Sequence, residues 1–546
     1  MKIDVKSAVA DILKLEGIEH VFGYTGGHIM HLWEAVNNEK IKIILNKQEG
    51  NAVYMADGYA RVKKCPAVVL ATAGPGATNM VTGLATALMD SVPIIAIGAT
   101  VSTSSFGRNP VQDGSGRGQS IEQRLVFKAC CKQAMLAPSP DAVPNMVREA
   151  FRLANSGRKG PVYIEIPSDF WNVEIDYEKI QPCKYKNLNS PSCSKSDSVK
   201  IAEKLYQAKH PLLVIGEGAD EQNIKKKLPQ ILQKLAIPYT VSPLAKNFID
   251  EYDKLFLGVI RQEGKTQKVY EYMKKSDLIL FLGDRMQEWE MAWYDRSIFG
   301  DVVLAQVDPD YSEIGRVYPV DISAIGSVLS FFSNFELKEH DFSKILIKEV
   351  VQLNINYPRK KRYPDGDGVN PLNVNNIVED LVTDNSIIVC DTGYAKSMAI
   401  VKFRTKLTQQ FLTADKNGPM GYSVPAAIGA ALASKKEVIC FVGDGGFQMS
   451  LNELGTAMNY DIKVIFVIEN NSGCMSIVDY HKSIYGHDCA DTFINPDYVK
   501  IAHAYKMKGY KLDSKEEFEK AFKLAQKEEL SVIIDVKIDQ SLMIWE

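Results

Sequence analysis

The 546-residue chain contains no apolar run of the ~18 residues that a membrane-spanning helix requires, and it has no excess of either charge. Its 64 basic and 67 acidic side chains give a formal net charge of −3. Without a basic excess or a polybasic tract, neither nucleic acid nor an anionic membrane surface is expected as a partner. The first residues also lack the charged-then-apolar layout of a secretory signal, so we expect a cytoplasmic protein.

Cysteine does not form the pattern of a disulfide-stapled or zinc-binding protein. The nine cysteines are an odd number, are scattered over the chain and include no C-x-x-C pair. They therefore indicate buried thiols in a reducing compartment. The adjacent Cys130 and Cys131 are predicted to be packing thiols.

Short apolar segments rich in valine and isoleucine alternate with longer segments of helical periodicity along the whole chain. Examples of the short segments are Ala67–Thr72, Leu278–Leu282 and Val438–Val442. Near-continuous apolar strands of this length are typical of parallel sheets that helices cover on both faces. The pattern predicts an α/β protein with doubly wound parallel sheets.

Two polar stretches rich in proline, serine, glycine or charge divide the chain. They lie at residues 181–197 and 356–371 and are predicted to be linkers, including the basic cluster Arg359–Arg362. The length of the chain suggests about three domains. We therefore expect domains at residues 1–180, 196–340 and 372–546.

Two glycine- and asparagine-rich turns carry the strongest chemical signal. One predicted strand leads into Gly443-Asp444-Gly445-Gly446, and the next leads into Asn470-Asn471-Ser472-Gly473. Glycines at a helix start let backbone N–H groups approach a phosphate. Asp444 and Asn471 supply hard oxygen ligands from neighbouring strand ends, and a turn carbonyl can supply a third. The two turns predict a Mg²⁺ and phosphate site at the carboxyl ends of a parallel sheet.

The spacing of these turns, 27 residues from Asp444 to Asn471, resembles the signature of thiamine-diphosphate enzymes, which is GDG followed at a similar distance by NN. The resemblance implies thiamine diphosphate and Mg²⁺ as cofactors. It further implies that Asp444, Asn471 and the Gly473 carbonyl bind the metal, and that Gly445 and Gly446 contact the diphosphate.

Thiamine chemistry also requires a carboxylate that exchanges a proton with the aminopyrimidine ring of the cofactor. Glu49 follows the apolar run Ile41–Leu45 and opens an alanine- and glycine-rich helix, with Phe22–Gly27 and Ala73–Asn79 at flanking strand ends. This N-terminal third resembles the pyrimidine domain of acetolactate synthases. The resemblance implies that Glu49 is the activating glutamate.

The resemblance covers all three parts of the chain and assigns further residues. The Gly418 carbonyl is expected to accept a hydrogen bond from the 4′-amino group, and Met420 to support the bent cofactor. In this family the pyrimidine domain of one subunit faces the diphosphate domain of another, which implies a homodimer or homotetramer. The remaining implied roles are catalytic for Gly27 and Gln119, and cofactor-binding for Pro75, Asn79, Gly393 and Met475.

The type of reaction is indicated by a missing motif. Protonation in the simple decarboxylases of this family relies on a His-His pair, and the chain has none. The resemblance therefore favours a carboligase that decarboxylates a 2-keto acid such as pyruvate and transfers the acyl carbanion to a second carbonyl. A non-oxidative decarboxylase or an acyltransferase that acts on a different, anionic or larger substrate stays open as the alternative.

The region expected to bind substrate departs from acetolactate synthases. Gly118 stands where an aromatic residue is usual, and Tyr394-Ala395-Lys396 stands in place of Gln-His-Gln. The stretch Arg108–Arg117, with an arginine at each end, suggests an acceptor larger or more anionic than pyruvate. The predicted substrate contacts are Lys132, Arg117 and His481.

A second cofactor is left open by the sequence. Some acetolactate synthases carry a non-redox FAD on the middle domain. In this chain Gly216-Glu217-Gly218 and Gly283-Asp284-Arg285 stand at predicted strand ends where a nucleotide could bind.

Overall fold

The structure is a computed structural model that describes residues 1–186, 191–262, 267–357 and 362–540. Within these ranges the chain forms three six-stranded parallel sheets and one two-stranded antiparallel sheet. The predicted α/β fold with three doubly wound sheets is therefore confirmed. Across the same ranges, no helix is both long enough and apolar enough to span a membrane.

The N-terminal domain contains the first eight strands and seven helices. The strands are β1 (Lys2–Asp4), β2 (His20–Gly23), β3 (Lys42–Leu45), β4 (Ala67–Ala71), β5 (Ile94–Thr100), β6 (Gln133–Leu136), β7 (Val162–Pro167) and β8 (Glu174–Asp176). The helices are α1 (Val5–Leu15), α2 (Met30–Asn38), α3 (Glu49–Lys63), α4 (Pro75–Thr78), α5 (Val81–Met89), α6 (Gln123–Lys128) and α7 (Val143–Asn155). The sheet order is β3-β2-β4-β5-β7-β6, and β1 pairs with β8 beside it.

The middle domain contains six strands and five helices. The strands are β9 (Pro211–Ile215), β10 (Tyr239–Val241), β11 (Phe256–Val259), β12 (Leu278–Leu282), β13 (Val303–Asp308) and β14 (Ile322–Ile325). The helices are α8 (Lys195–Gln207), α9 (Ile224–Leu235), α10 (Gln267–Lys275), α11 (Val328–Ser333) and α12 (Ser343–Asn356). The sheet order is β11-β10-β9-β12-β13-β14.

The C-terminal domain contains six strands and eight helices. The strands are β15 (Ser386–Cys390), β16 (Gln410–Thr413), β17 (Glu437–Gly443), β18 (Ile465–Asn470), β19 (Lys508–Leu512) and β20 (Val532–Lys537). The helices are α13 (Pro371–Leu381), α14 (Tyr394–Lys402), α15 (Ser423–Ala433), α16 (Asp444–Ser450), α17 (Leu454–Asn459), α18 (Met475–Tyr485), α19 (Tyr498–Ala504) and α20 (Lys515–Ala525). The sheet order is β16-β15-β17-β18-β20-β19, the same topology as in the N-terminal domain.

The apolar runs of the sequence form the central strands of these sheets. Every residue of β4, β9, β12 and β15 is buried, as expected for parallel strands with helices on both faces. Cys130 and Cys131 are buried in the same core as α3 and β4, which confirms them as packing thiols.

The predicted linkers are shorter in the structure than in the sequence pattern. The first stretch includes residues 187–190, which lie outside the described residues, and α8 already begins at Lys195. The second overlaps the end of α12 and the start of α13, and its basic cluster lies outside the described residues except for Arg362. Although α12 follows residue 340, it packs against β11 and so extends the middle domain.

Helices α3 and α15 cross at unusually short range and join the N-terminal domain to the C-terminal domain. A Cβ added to Gly58 would lie 2.1 Å from the Ala426 carbonyl oxygen. One added to Gly429 would lie 1.9 Å from the Met55 carbonyl oxygen. Only glycine permits backbones to approach this closely, so these two residues set the spacing of the helices.

Because of this crossing, the carboxyl edges of the two sheets, which are the ends at which their parallel strands finish, lie at opposite ends of α3. Glu49 begins α3, whereas Arg61 near its other end donates to Asp90 at 3.0 Å. Asp90 in turn accepts from the backbone N–H groups of Asp415 and Lys416, both at 3.1 Å, just after β16. At 1.5 Å per residue, Glu49 and Arg61 are about 18 Å apart along the helix. The segment that leads to Gly418 therefore lies at the far end of α3 from Glu49.

We expect a Gly429→Ala substitution to destabilise the protein by about 1–3 kcal/mol, because the added methyl group meets a backbone oxygen that cannot rotate away. The loss should appear although alanine favours a helix by about 1 kcal/mol over glycine. Denaturant unfolding provides the measurement. The matched control is Gly27→Ala, since no atom lies within 4 Å of a Cβ added there. Equal unfolding midpoints for both variants would contradict the argument.

Candidate active site

The predicted metal residue Asp444 lies at the carboxyl end of β17, where it begins α16 with an almost fully buried side chain. Its Oδ1 accepts from the Gly445 N–H at 2.9 Å. Its Oδ2 accepts from the Ser472 N–H at 2.6 Å and from Asn495 Nδ2 at 2.7 Å. Burial raises the pKa of the Asp444 carboxyl, and these hydrogen bonds offset the rise in part. A cation beside this buried carboxylate would compensate its charge.

Asn471 and Gly473 lie in the turn that contacts Asp444 through Ser472. The Oδ1 atom of Asn471 is buried, and no group among the described residues donates a hydrogen bond to it. Nor do the described residues contain three clustered His, Cys, Asp or Glu side chains that could hold a metal. A metal here would therefore bind one carboxylate, one amide oxygen and a turn carbonyl, with phosphate oxygens for the rest. This donor set fits Mg²⁺.

The glycines of the turn after β17 leave a recess that side chains at the same positions would fill. A Cβ added to Gly445 would lie 3.1 Å from Met420 Cε, and one added to Gly446 would lie 2.9 Å from Asp391 Oδ1. Asp391 Oδ1 also accepts from the Gly421 N–H at 3.0 Å. The strand order reverses between β15 and β17, which is where open α/β sheets bind ligands. The structure thus brings the predicted diphosphate residues and Met420 together at one crevice.

Asn495 was not predicted from the sequence, although its amide organises the end of the sheet that carries Asp444 and Asn471. Its Nδ2 donates to Asp444 and also to Asn470 Oδ1 at 2.8 Å. Its Oδ1 accepts from Gln448 Nε2 and from the Tyr498 hydroxyl, both at 2.9 Å. In the sequence Asn495 appears only as part of an Asn-Pro-Asp run, which by itself predicts a turn before a helix.

On the N-terminal domain, Glu49 begins α3 as predicted and is 8% exposed. Asn79 Nδ2 donates to Glu49 Oε2 at 2.9 Å. The other oxygen, Oε1, would lie 3.2 Å from a Cβ added to Gly76, so glycine leaves space beside it. Gln48 caps the helix by accepting from the Asn51 N–H at 2.9 Å. This places a buried carboxylate, held through one oxygen, at the carboxyl edge of the sheet.

A second residue that the sequence analysis did not predict, Gln123, fixes the turn beside Glu49. It is fully buried, and its Oε1 accepts from the Gly74 N–H at 2.9 Å. Its Nε2 donates to the Ala99 carbonyl at 3.1 Å and to the Tyr163 hydroxyl at 2.7 Å. These bonds hold the turn that leads into α4, which begins with the predicted cofactor residue Pro75.

Several predicted residues lie in exposed positions on the N-terminal domain. Gly27 is exposed after β2, with no atom within 4 Å of an added Cβ. Gln119 and Arg117 are exposed in the loop between β5 and α6. Within the part of one chain that the structure describes, no hydrogen bond joins any of these three residues to Glu49.

Lys132 lies at the amino ends of the strands of the N-terminal sheet, whereas Glu49 lies at their carboxyl ends. Lys132 immediately precedes β6, and its backbone N–H bonds the Pro161 carbonyl at 2.8 Å. Its ammonium donates to the carbonyls of Leu153, Ser156 and Arg158 at 2.8, 2.6 and 2.7 Å. Burial lowers the pKa of this group to about 8. The structure therefore does not bring Lys132 to the predicted site, and it gives this side chain a structural role.

The remaining predicted residues of the C-terminal domain line the crevice from α14 and α18. Gly393 precedes α14, and Met475 begins α18 with 8% of its surface exposed. The hydroxyl of Tyr394 donates to the carboxylate of Asp479, which joins the two helices. His481 Nδ1 lies 2.6 Å from Asp491 Oδ2, so this histidine ties α18 to the loop that follows it.

Comparison with known proteins agrees with this arrangement. The chain matches the thiamine pyrophosphate enzyme N-terminal TPP binding domain at residues 3–119, the central domain at residues 199–335 and the C-terminal TPP binding domain at residues 391–536. It is 30% identical to the probable acetolactate synthase large subunit of Methanococcus aeolicus, over 98% of this chain and 92% of that protein. The chain belongs to the thiamine pyrophosphate enzyme family.

Other relatives of this thiamine pyrophosphate enzyme carry similar names. The acetolactate synthase large subunit of Haemophilus influenzae is 30% identical over 99% of this chain and 95% of its own length. That of Lactococcus lactis is 28% identical over 98% of this chain and 92% of its own length. The matched regions include Glu49 in the N-terminal domain and Asp444 and Asn471 in the C-terminal domain. The chain is therefore a thiamine-diphosphate-dependent enzyme.

We expect an Asn495→Leu substitution to weaken Mg²⁺-dependent binding of thiamine diphosphate by about ten- to hundredfold, the usual effect of losing a partner that orients a metal ligand. Without the amide, Asp444 Oδ2 loses the hydrogen bond that Asn495 Nδ2 donates at 2.7 Å. Titration of the purified protein with the cofactor at fixed Mg²⁺, followed by intrinsic fluorescence, measures the change. The neighbouring Ile494, which is 98% exposed, provides the control Ile494→Ala. Unchanged affinity in the Asn495 variant would remove this residue from the site.

Proposed function

We propose that this enzyme is a carboligase, which decarboxylates a 2-keto acid such as pyruvate and transfers the acyl carbanion to a second carbonyl. The observation that carries the proposal is the buried Glu49 carboxylate on one domain together with the Asp444 and Asn471 pair on another. The names of the relatives, all acetolactate synthases, support this reaction. The absence of a His-His pair from the sequence supports it over simple decarboxylation.

The cofactor site that we propose contains Mg²⁺ as well as thiamine diphosphate. Asp444, Asn471 and the Gly473 carbonyl would hold the metal, because the Asn471 oxygen is buried without a protein donor among the described residues. Gly445 and Gly446 would admit the diphosphate to the start of α16. When bound, thiamine diphosphate would supply an electron sink that stabilises negative charge on the former carbonyl carbon of the substrate. The protein contributes orientation, exclusion of water and proton transfer.

Glu49 has the proton-transfer role in this proposal. Its Oε2 is fixed by Asn79, so Oε1, beside Gly76, is the oxygen that would exchange a proton with the ring nitrogen of the aminopyrimidine. Burial of the carboxylate excludes water from this exchange. Gln123 supports the role indirectly, since it holds the turn on which Gly76 and Asn79 lie.

We further propose that each active site lies between two subunits. Glu49 and the Gly418 carbonyl are both expected to contact the same aminopyrimidine ring. Within one chain they lie at opposite ends of α3, about 18 Å or more apart. A second copy of the chain is therefore needed to bring a Glu49 to each Gly418, which requires a homodimer or a homotetramer built from such dimers.

The acceptor in this proposal is larger or more anionic than pyruvate. The Lys396 ammonium lies 3.7 Å from the position of a Cβ on Gly418, and its side chain is only 7% exposed. Arg117 is exposed in the loop after β5, where a partner domain or an acceptor can reach it. Lys396 also pairs with Asp415 at 3.8 Å, so the attraction of an anionic acceptor in this proposal rests on Arg117. The substrate roles of Gln119, Arg117 and His481 stay predictions, as does a cytoplasmic location.

We expect the holoenzyme to yield a C–C coupled product from pyruvate and a panel of keto acids and phosphorylated or carboxylated carbonyl compounds. It should yield more of this product with an acceptor larger or more anionic than pyruvate than with pyruvate alone. Mass spectrometry with ¹³C-labelled pyruvate identifies the product through its retained label. A Glu49→Gln variant, which keeps the size of the side chain and removes its charge, is the control and should lose about 10²–10⁴-fold in rate. If only an aldehyde forms with every acceptor, the enzyme is the alternative decarboxylase.

We expect two inactive variants to complement each other when they are co-expressed. In a mixed dimer of Glu49→Gln and Asp444→Ala subunits, one site carries both lesions and the other carries none, so about a quarter of wild-type activity should return. The steady-state rate of pyruvate consumption measures it. The control pairs Glu49→Gln with Asn79→Leu, which leaves a lesion in every site. A mixture as inactive as this control would show that each site belongs to one chain.

A further inference from the structure

The middle domain has the strand order of a dinucleotide-binding fold. Counted along the chain, its strands occur in the order 3-2-1-4-5-6, and the order reverses between β9 and β12. Open α/β sheets bind dinucleotides in the crevice at such a reversal, at the carboxyl ends of the strands. This crevice, between the turns after β9 and β12, is where the flavin that the sequence leaves open would have to bind.

A cluster of charged side chains fills this crevice. Glu217 follows β9 and has a side chain that is 7% exposed. Its Oε1 accepts from Arg158 Nη1 at 3.2 Å, from Arg285 Nε at 2.7 Å and from the ammonium of Lys416. We call Arg158, Glu217, Arg285 and Lys416 the charged plug. It contains residues from all three domains.

Arg158 extends across the crevice from the N-terminal domain. Its Nη2 donates to the Gly283 carbonyl at 3.1 Å, at the end of β12, and to Asp308 Oδ2 at 2.6 Å, at the end of β13. The side chain is 7% exposed. The guanidinium thus occupies the strand ends that a nucleotide would approach.

The glycines of the two turns contact each other rather than leaving a gap. A Cβ added to Gly216 would lie 2.4 Å from Asp284 Cα, and one added to Gly218 would lie 2.7 Å from the Gly283 carbonyl oxygen. These glycines are therefore required for the packing of one turn on the other. In a dinucleotide site, the same lack of side chains would let the backbone approach a diphosphate.

The charge in the crevice also opposes a diphosphate. Asp284 and Glu290 are buried there in addition to Glu217 and Asp308. Burial and the neighbouring Glu217 raise the pKa of Asp284 to about 6. The cations of the plug already pair with carboxylates, so a diphosphate would add negative charge that has no free counter-charge among these residues.

The plug also reaches the segment that leads to the proposed cofactor site. Lys416 lies two residues before Gly418, and the preceding Asp415 accepts from Arg261 Nη1 of the middle domain at 2.8 Å. The backbone N–H groups of Asp415 and Lys416 bond Asp90. Both the middle domain and the N-terminal domain therefore fix the backbone immediately before Gly418.

We propose that the charged plug takes the place of a dinucleotide in the middle domain, so that the enzyme binds no flavin, and that Glu217 acts through Lys416 as a positioning residue for Gly418. The second part rests on the proposed cofactor site. The first part is independent of it, because it concerns only what occupies the crevice of the middle domain.

The flavin part is tested on the purified full-length protein. The absorbance spectrum and the fluorescence of the supernatant after denaturation should show no flavin, and titration of the native protein with FAD should give no binding heat. A stoichiometric flavin, or saturable FAD binding, would overturn this part whatever the enzyme catalyses.

The positioning part is tested with Glu217→Gln, which keeps the shape of the side chain and removes its charge. We expect binding of thiamine diphosphate to weaken by about ten- to hundredfold, as when a group that orients a ligand-binding residue is lost. The matched control is Asp220→Asn, since Asp220 pairs with Lys64 and Lys159 but makes no bond to Lys416. Equal cofactor affinities in both variants would overturn this part.

A double-mutant cycle separates positioning from a general loss of structure. If Glu217 acts through Lys416, the double variant Glu217→Gln/Lys416→Met should bind the cofactor about as well as Lys416→Met alone. Additive losses would instead mean that Glu217 acts by another route. Absence of any cofactor binding by the wild-type protein would count against the proposed function itself, which distinguishes that failure from failure of the plug.

Discussion

The crossing of α3 and α15 is the contact on which the placement of the N-terminal and C-terminal domains depends. At Gly58 and at Gly429, the backbone of the opposite helix occupies the space that a side chain would need. The separation of the two helices and the angle between them therefore have little freedom. Because both helices follow the second strand of sheets with the same strand order, the crossing relates equivalent parts of the two domains. It also directs their carboxyl edges away from each other, and from this the proposed need for two subunits follows.

The two domains show how one topology supports two chemistries. In each sheet the order reverses between the first and third parallel strands, which opens a crevice at the carboxyl edge. In the C-terminal domain the turns at this edge carry glycines, one buried carboxylate and an amide oxygen to which no described residue donates, and these groups suit a metal and a phosphate. In the N-terminal domain the equivalent edge carries Glu49, held by Asn79 in a dry environment that suits proton exchange. The turn residues, rather than the sheets, determine the difference.

The middle domain illustrates the limit of reasoning from fold alone. Its strand order is that of a dinucleotide-binding sheet, yet Glu217 and Arg158 occupy the crevice. Buried ion pairs are costly to desolvate and contribute little net stability compared with apolar packing. In this protein the ion pairs orient the domains. Glu217 accepts hydrogen bonds from cations of three domains and so fixes the orientation of those domains relative to one another. The same contacts hold the backbone that leads to Gly418.

The sequence by itself determined the parallel sheets, the position of Glu49 at a helix start and the position of Asp444 and Asn471 at the ends of adjacent strands. Each of these depends on local periodicity or on two turns at the ends of adjacent strands, and the Asp444 carboxylate does accept from the Ser472 N–H. Only the tertiary structure decided that Lys132 bonds three carbonyls at the far edge of its sheet, that Gln123 and Asn495 support the two edges, and that Glu217 closes the middle crevice. These contacts join residues 21 to 199 positions apart, and no local pattern encodes which distant groups packing brings together.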